Sequence, residues 1–223
     1  MKNLIAVLVT AFVLASCSDP VEPTPTAPIV PGVGSTFSYA TYNTNERGEK
    51  ITGTDGQFVT TVVANNSTVS GNSGVWSIAG PNTDTMCFNI DTYKDLGFRT
   101  NTVGETYFDT TWVRLAIETG VEGTVSTSES LNGVRTVKSV TCQPGGLLSF
   151  TIAGKTIVTH SFKITYSIVQ TTNNVETSNV SRAVAVWYAP SLGTFVRRTT
   201  LPQTWLGKQI SGQVEELTGF TLK

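Results

Sequence analysis

The alternation of apolar and polar residues is clearest from Val158 to Ile168. Val158, His160, Phe162, Ile164, Tyr166 and Ile168 share one face, and Thr159, Ser161, Lys163, Thr165 and Ser167 the other. A period of two held this long predicts a half-buried antiparallel strand. Gly154-Lys155 turns it back on Leu148 to Ala153. The same reading places strands at Phe37 to Tyr42, Gln57 to Val63, Val75 to Ile78, Thr85 to Ile90, Tyr107 to Glu118 and Gly123 to Leu131. Others follow at Val134 to Thr141, Val180 to Tyr188, Thr194 to Thr200 and Val214 to Leu222. Asn132-Gly133 separates two of these with a favoured hairpin dipeptide. Thr92 to Phe98, with Gly97 near its end, reads as a short helical turn. About eleven or twelve strands without a long helix predict an all-β domain, either a sandwich or an open or closed barrel.

Composition agrees. The chain has 37 Thr and 19 Ser among 223 residues, about a quarter of the whole, while the Leu, Ala, Glu and Lys runs of long helices are missing. Lys and Arg number 15 against 16 Asp and Glu, with no basic cluster, which argues against nucleic acid as a partner.

The first 33 residues follow a different pattern. Met1-Lys2-Asn3 precedes an apolar run from Leu4 to Leu14. As a helix it would reach about 16 Å, half of a bilayer core, so it fits a secretory signal rather than a membrane span. Leu14-Ala15-Ser16-Cys17 resembles the bacterial lipobox. That resemblance implies cleavage after Ser16 and acylation of Cys17, an effectively permanent membrane anchor. Residues 1–16 are thus read as a lipoprotein signal peptide and 17–33 as a lipidated tether, with Pro20, Pro23, Pro25 and Pro28 holding it extended. Residues 34–223 form a single all-β domain. Ser18 is not the aspartate that marks inner-membrane retention in the enterobacterial pattern, which favours the outer membrane, facing the periplasm or the surface.

Toward the C-terminus, Trp187-Tyr188-Ala189-Pro190-Ser191-Leu192-Gly193 resembles the closing motif of the TapB-like bacterial envelope domains, a family of unknown function. Gly34-Ser35-Thr36-Phe37-Ser38-Tyr39 matches an opening strand of that family, and Glu216-Leu217 its last strand. Ser130 to Val134 takes the place of a Val-Pro-Ala-Gly-Thr-Phe segment without its proline. The resemblance implies a strongly curved antiparallel sheet of half-barrel type and supplies no catalytic residues. Apart from it, Pro190 must stop a ladder and Gly193 permits a turn.

Candidate chemistry is sparse. A hydrolytic triad needs a histidine base, and the one histidine, His160, belongs to an apolar face as a core residue. Ser161 must point the other way. One His and three Cys do not make the usual zinc sets, Glu215 and Glu216 fall on opposite faces, and no phosphate loop is present. No catalytic residue, metal ligand or cofactor is therefore expected. With Cys17 lipidated, Cys87 and Cys142 remain in an oxidising compartment, and a disulfide between neighbouring strands is expected of them. The chain reads as a non-enzymatic envelope lipoprotein whose β domain binds a partner or an apolar ligand. The alternative is a surface adhesin or carbohydrate-binding module with Trp76, Trp112 or Trp205 as stacking platforms.

Overall fold

The computed structural model describes residues 28–81, 85–90, 92–95, 112–115, 123–205 and 208–223, and among them no α-helix forms. Strands β1 (Thr36–Thr44), β2 (Gly56–Val69), β3 (Asn72–Ala79), β4 (Thr85–Asn89), β5 (Thr92–Asp95) and β6 (Val113–Arg114) follow one another as antiparallel neighbours. A second series comprises β7 (Gly123–Leu131), β8 (Val134–Ile152), β9 (Lys155–Thr172), β10 (Val175–Ala189) and β11 (Thr194–Thr200). A small separate hairpin, β12 (Gln203–Trp205) with β13 (Lys208–Ile210), precedes the last strand, β14 (Gly212–Thr221). β14 enters between β1 and β11 and joins both series into one twelve-stranded sheet, in the order β6-β5-β4-β3-β2-β1-β14-β11-β10-β9-β8-β7.

Chain length forces this sheet to curl. Laid flat, twelve strands about 4.8 Å apart would separate β6 from β7 by about 53 Å. The chain from Leu115 to Gly123 can reach only about 29 Å. The two edges must therefore swing toward each other, and Cα atoms of β6 come within 8 Å of β7 and β8. Among the described residues no ladder joins them, and the sheet is not closed there. This is the expected all-β, strongly curved antiparallel architecture.

The inner side of the curl carries a hydrophobic core built from both series. Trp76 on β3 stacks on Phe88 of β4, Phe88 on Tyr188 of β10, and Phe195 of β11 meets both Phe88 and Tyr188 edge-on, with ring centroids 5.3–6.0 Å apart. Val140, Cys142, Phe162, Ile164, Tyr166, Val184 and Val186 extend the same cluster from β8 to β10. Each such buried side chain contributes about 1.5–3 kcal/mol and each aromatic pair about 0.5–1.5 more.

The structure revises some of the predicted elements, and one of them is only partly within the described residues. Thr92–Asp95 is strand rather than helical turn, paired with β4 and β6. Of the strand expected over Tyr107 to Glu118, Val113–Arg114 is seen as β6, and residues 107–111 and 116–118 lie outside the described residues. Most informative is β9. Phe162, Ile164, Tyr166 and Ile168 are buried as expected, but nearer its start the buried residues are Ile157 and Thr159, on the opposite face. Val158 and His160 are only half-buried. The change of face lies beside a β-bulge in β8, where the register passes from Pro144↔Phe162 to Leu147↔His160. An extra residue there raises the local twist and turns the hairpin tip over. The same bulge lets β8 run unbroken across Pro144-Gly145-Gly146, merging two expected strands into one.

Candidate functional site

Two irregularities of the ladder lie at the level of the end of β10, one after β10 itself and one on β8, and the candidate site is built between them. The first is the corner after Ala189. The Leu192 and Gly193 amides both donate to Ala189 O, closing a turn in which Gly193 takes φ +65°. Side chains and backbone from distant parts of the chain converge on it. Trp76 Nε1 donates to Gly193 O at 2.8 Å, the Tyr39 hydroxyl to Phe195 O at 2.7 Å, and the Ile29 amide to Pro190 O at 2.9 Å. A Cβ on Gly193 would run into Pro31 and Ile29 O, so glycine is required there twice over. Burial raises the Tyr39 pKa, opposed by the hydrogen bond to Thr194, and keeps the hydroxyl a donor.

The second irregularity is the bulge. Gly145 and Gly146 carry no side chains to fill the outer surface, and a groove of about 290 Å³ opens there. Gln143, Pro144, Ser161, Lys163, Ala185 and Trp187 line it. Trp187 stands directly opposite Ser161 and Ala185 opposite Lys163 in the β9–β10 register, so these four share the outer face. Ser161 Oγ donates to Gly146 O at 2.9 Å, which pins the bulge and spends the hydroxyl. The Trp187 wall is braced by Phe150 edge-on at 6.4 Å and by the Arg197 guanidinium 5.3 Å from the ring centroid. Arg197 is in turn paired with Glu216 at 3.3 Å. An apolar wall with a lysine and an amide at its rim can hold an apolar side chain or ligand; no nucleophile–base pair is formed in it.

Polar groups inside the sheet are paired or starved. Arg198 and Glu215 form an inward ion pair at 3.6 Å, with side chains 13% and 14% exposed, and Arg198 Nη1 also approaches Met86 Sδ at 3.6 Å. Glu215 and Glu216 thus serve different arginines on different faces. His160 lies opposite Tyr188 in register, and His160 Nε2 and Tyr188 OH are buried without a hydrogen-bond partner among the described residues. Desolvation lowers the His160 pKa and raises that of Tyr188. Both groups are held neutral.

Other sequence-derived candidates do not line the groove. Cys17 lies outside the described residues. Cys87 and Cys142 are both buried, on β4 and β8, the third and eleventh strands of the sheet, and no disulfide joins them. β4 and β8 belong to different series and share no ladder, so the expectation of neighbouring strands fails. Cys87 Sγ instead lies 3.3 Å from Ser77 Oγ. Trp76 is fully buried and cannot stack on a sugar. Trp112 is half-buried, and the Trp205 side chain lies outside the described residues. Among the described residues no group of three His, Cys, Asp or Glu is placed to hold a metal ion. The groove itself escaped the sequence reading. Its signal was Pro144-Gly145-Gly146 between two alternating segments, which looks like a loop until the pairing partner is known.

No family model and no curated protein matches the chain. Among solved structures it is similar to the hypothetical lipoprotein YmcC of Escherichia coli, at 12% identity and a TM-score of 0.39 over 85% of this chain and 88% of that one. It is also similar to a hypothetical lipoprotein from Parabacteroides distasonis, at 11% identity and a TM-score of 0.38 over 87% of this chain and 97% of that one.

Proposed function

We propose that this protein is a non-enzymatic lipoprotein of the bacterial cell envelope, anchored in the outer membrane through acylated Cys17. Its curled β domain presents the groove beside Trp187 to a partner or an apolar ligand. The observation that carries the reading is Leu14-Ala15-Ser16-Cys17 after an apolar run too short to span a bilayer, followed at once by a proline-rich tether. The resemblance of Trp187 to Gly193 to the closing motif of TapB-like envelope domains points the same way. Among the described residues no helix is long and apolar enough to cross a membrane.

The test is Cys17→Ala expressed in the native host. Signal cleavage at Cys17 removes Lys2 and leaves 14 basic against 16 acidic residues, too little positive charge to hold the chain on anionic lipid. The variant should leave the membrane pellet for the soluble fraction, and metabolic labelling with palmitate should be lost. Full sedimentation of the variant after a salt wash would overturn the anchor.

A further inference from the structure

Where the leader joins the sheet, exposed apolar side chains collect. Ile29 is bonded to Pro190 O, and Val30 follows it. Val33 lies between Gly32, which packs on Lys223, and Gly34, whose amide donates to Val62 O at 2.8 Å. Val63 follows Val62 on the outer face of β2, and Leu222 precedes Lys223, whose amide donates to Ser35 Oγ at 3.0 Å. Ile29, Val30, Val33, Val63 and Leu222 are 36–52% exposed, and they make up five of the twelve exposed large apolar residues among the described residues. Single exposed apolar residues need no explanation, but five gathered at one end of a domain do.

We infer that this end of the domain is a membrane-docking surface, seated on the lipid bilayer to which the tether is attached. The inference rests on the lipid-anchor reading above. The hydrogen bond from Ile29 to Pro190 and the packing of Pro31 against Gly193 take up the chain at the patch itself. The twelve residues from Cys17 to Ile29 reach at most about 40 Å when fully extended. The patch is therefore held within about 40 Å of the bilayer, at a high effective concentration of lipid. Lys155, 5.4 Å from the centroid of the Phe220 ring, and Lys223 stand close to it with amines able to meet headgroup phosphates. The corner motif then has a second role. By clasping the leader it sets which end of the β domain faces the membrane, and it leaves the β9–β10 turn, about 45 Å away along β10, pointing outward.

The full-length acylated protein, carrying Val63→Cys or Val175→Cys labelled with an environment-sensitive fluorophore, is reconstituted into vesicles of phosphatidylethanolamine and phosphatidylglycerol containing a headgroup-region nitroxide lipid. The unsubstituted chain, whose two other cysteines are buried, gives the labelling background. Quenching at Val63 with none at Val175 is expected. Adding Val30→Ser, Val33→Ser and Leu222→Ser, all at exposed positions, should lower quenching at Val63 at least twofold. Equal quenching at both sites, or no change in the triple variant, overturns docking while the anchor stands. Mass spectrometry of the same preparation separates the two readings: an unacylated Cys17 removes the anchor and the docking surface with it.

Discussion

The corner at Gly193 and the bulge at Gly145-Gly146 both interrupt the ladder near the end of β10, and they resolve the interruption in opposite ways. At the corner, freed backbone carbonyls are reclaimed by partners more than a hundred residues away, Trp76 on Gly193 and Tyr39 on Phe195. Buried acceptors satisfied by buried donors make a rigid knot, because leaving either unpaired costs about 1–3 kcal/mol. At the bulge, one serine bonds one carbonyl and the remaining space stays open as a groove. Glycine serves both places, but under different constraints. At Gly193 φ is positive and Pro31 and Ile29 O leave no room, whereas at the bulge a Cβ on Gly145 would run into Ser161 Oγ while Gly146 faces open space. A broken ladder thus becomes a structural joint where buried partners converge, and a binding surface where they do not.

The contrast can be broken most forcefully at the corner. Trp76→Ala removes a fully buried indole from the aromatic stack and leaves Gly193 O without its donor, so a loss of about 3–5 kcal/mol is expected in chemical denaturation. Trp187→Ala at the groove should cost only about 1–2 kcal/mol, the combined worth of one edge-on ring and one exposed cation–π contact. The same variant should abolish saturable binding of a fluorescent fatty acid or hydrophobic dye. Retained binding would place the ligand elsewhere, and a stability loss matching that of Trp76→Ala would erase the distinction between the two regions.

The smallest effect is expected at His160, which lies between them. Its pKa is lowered by burial in the folded state, so the unfolded chain takes up the proton more readily. The stability that neutral His160 allows is present above about pH 6.5 and declines as pH falls below it. Denaturation midpoints measured from pH 8 to pH 5 should drop slightly in the parent chain, and less in His160→Leu. An identical slope in both would assign the acid sensitivity to other groups.

The strands themselves were largely legible because each is a local matter. Alternation over Phe162 to Ile168, Asn-Gly at 132–133 and the breaker Pro190 act within a few residues, and the structure has strand, turn and stop there. The turn at Asn173-Asn174, with φ of 52° and 63°, was less plain because neither residue is glycine. At Ile157-Val158 the sequence offered two adjacent apolar residues and no means of choosing a face. That choice came from the bulge on the partner strand, which periodicity within β9 cannot encode.

What the sequence determined alone is whatever depends on short range: the all-β character and most of the strand positions. Tertiary structure decided everything that depends on which strand meets which. The β14 seam put Cys87 and Cys142 on strands that share no ladder, brought Trp76 under Gly193 and set Arg198 against Glu215. The physical reason is loop closure. A hairpin partner is fixed by a few residues of turn, whereas the pairing of β1 with β14 closes more than 160 residues and is selected by the buried surface gained across the whole curled sheet.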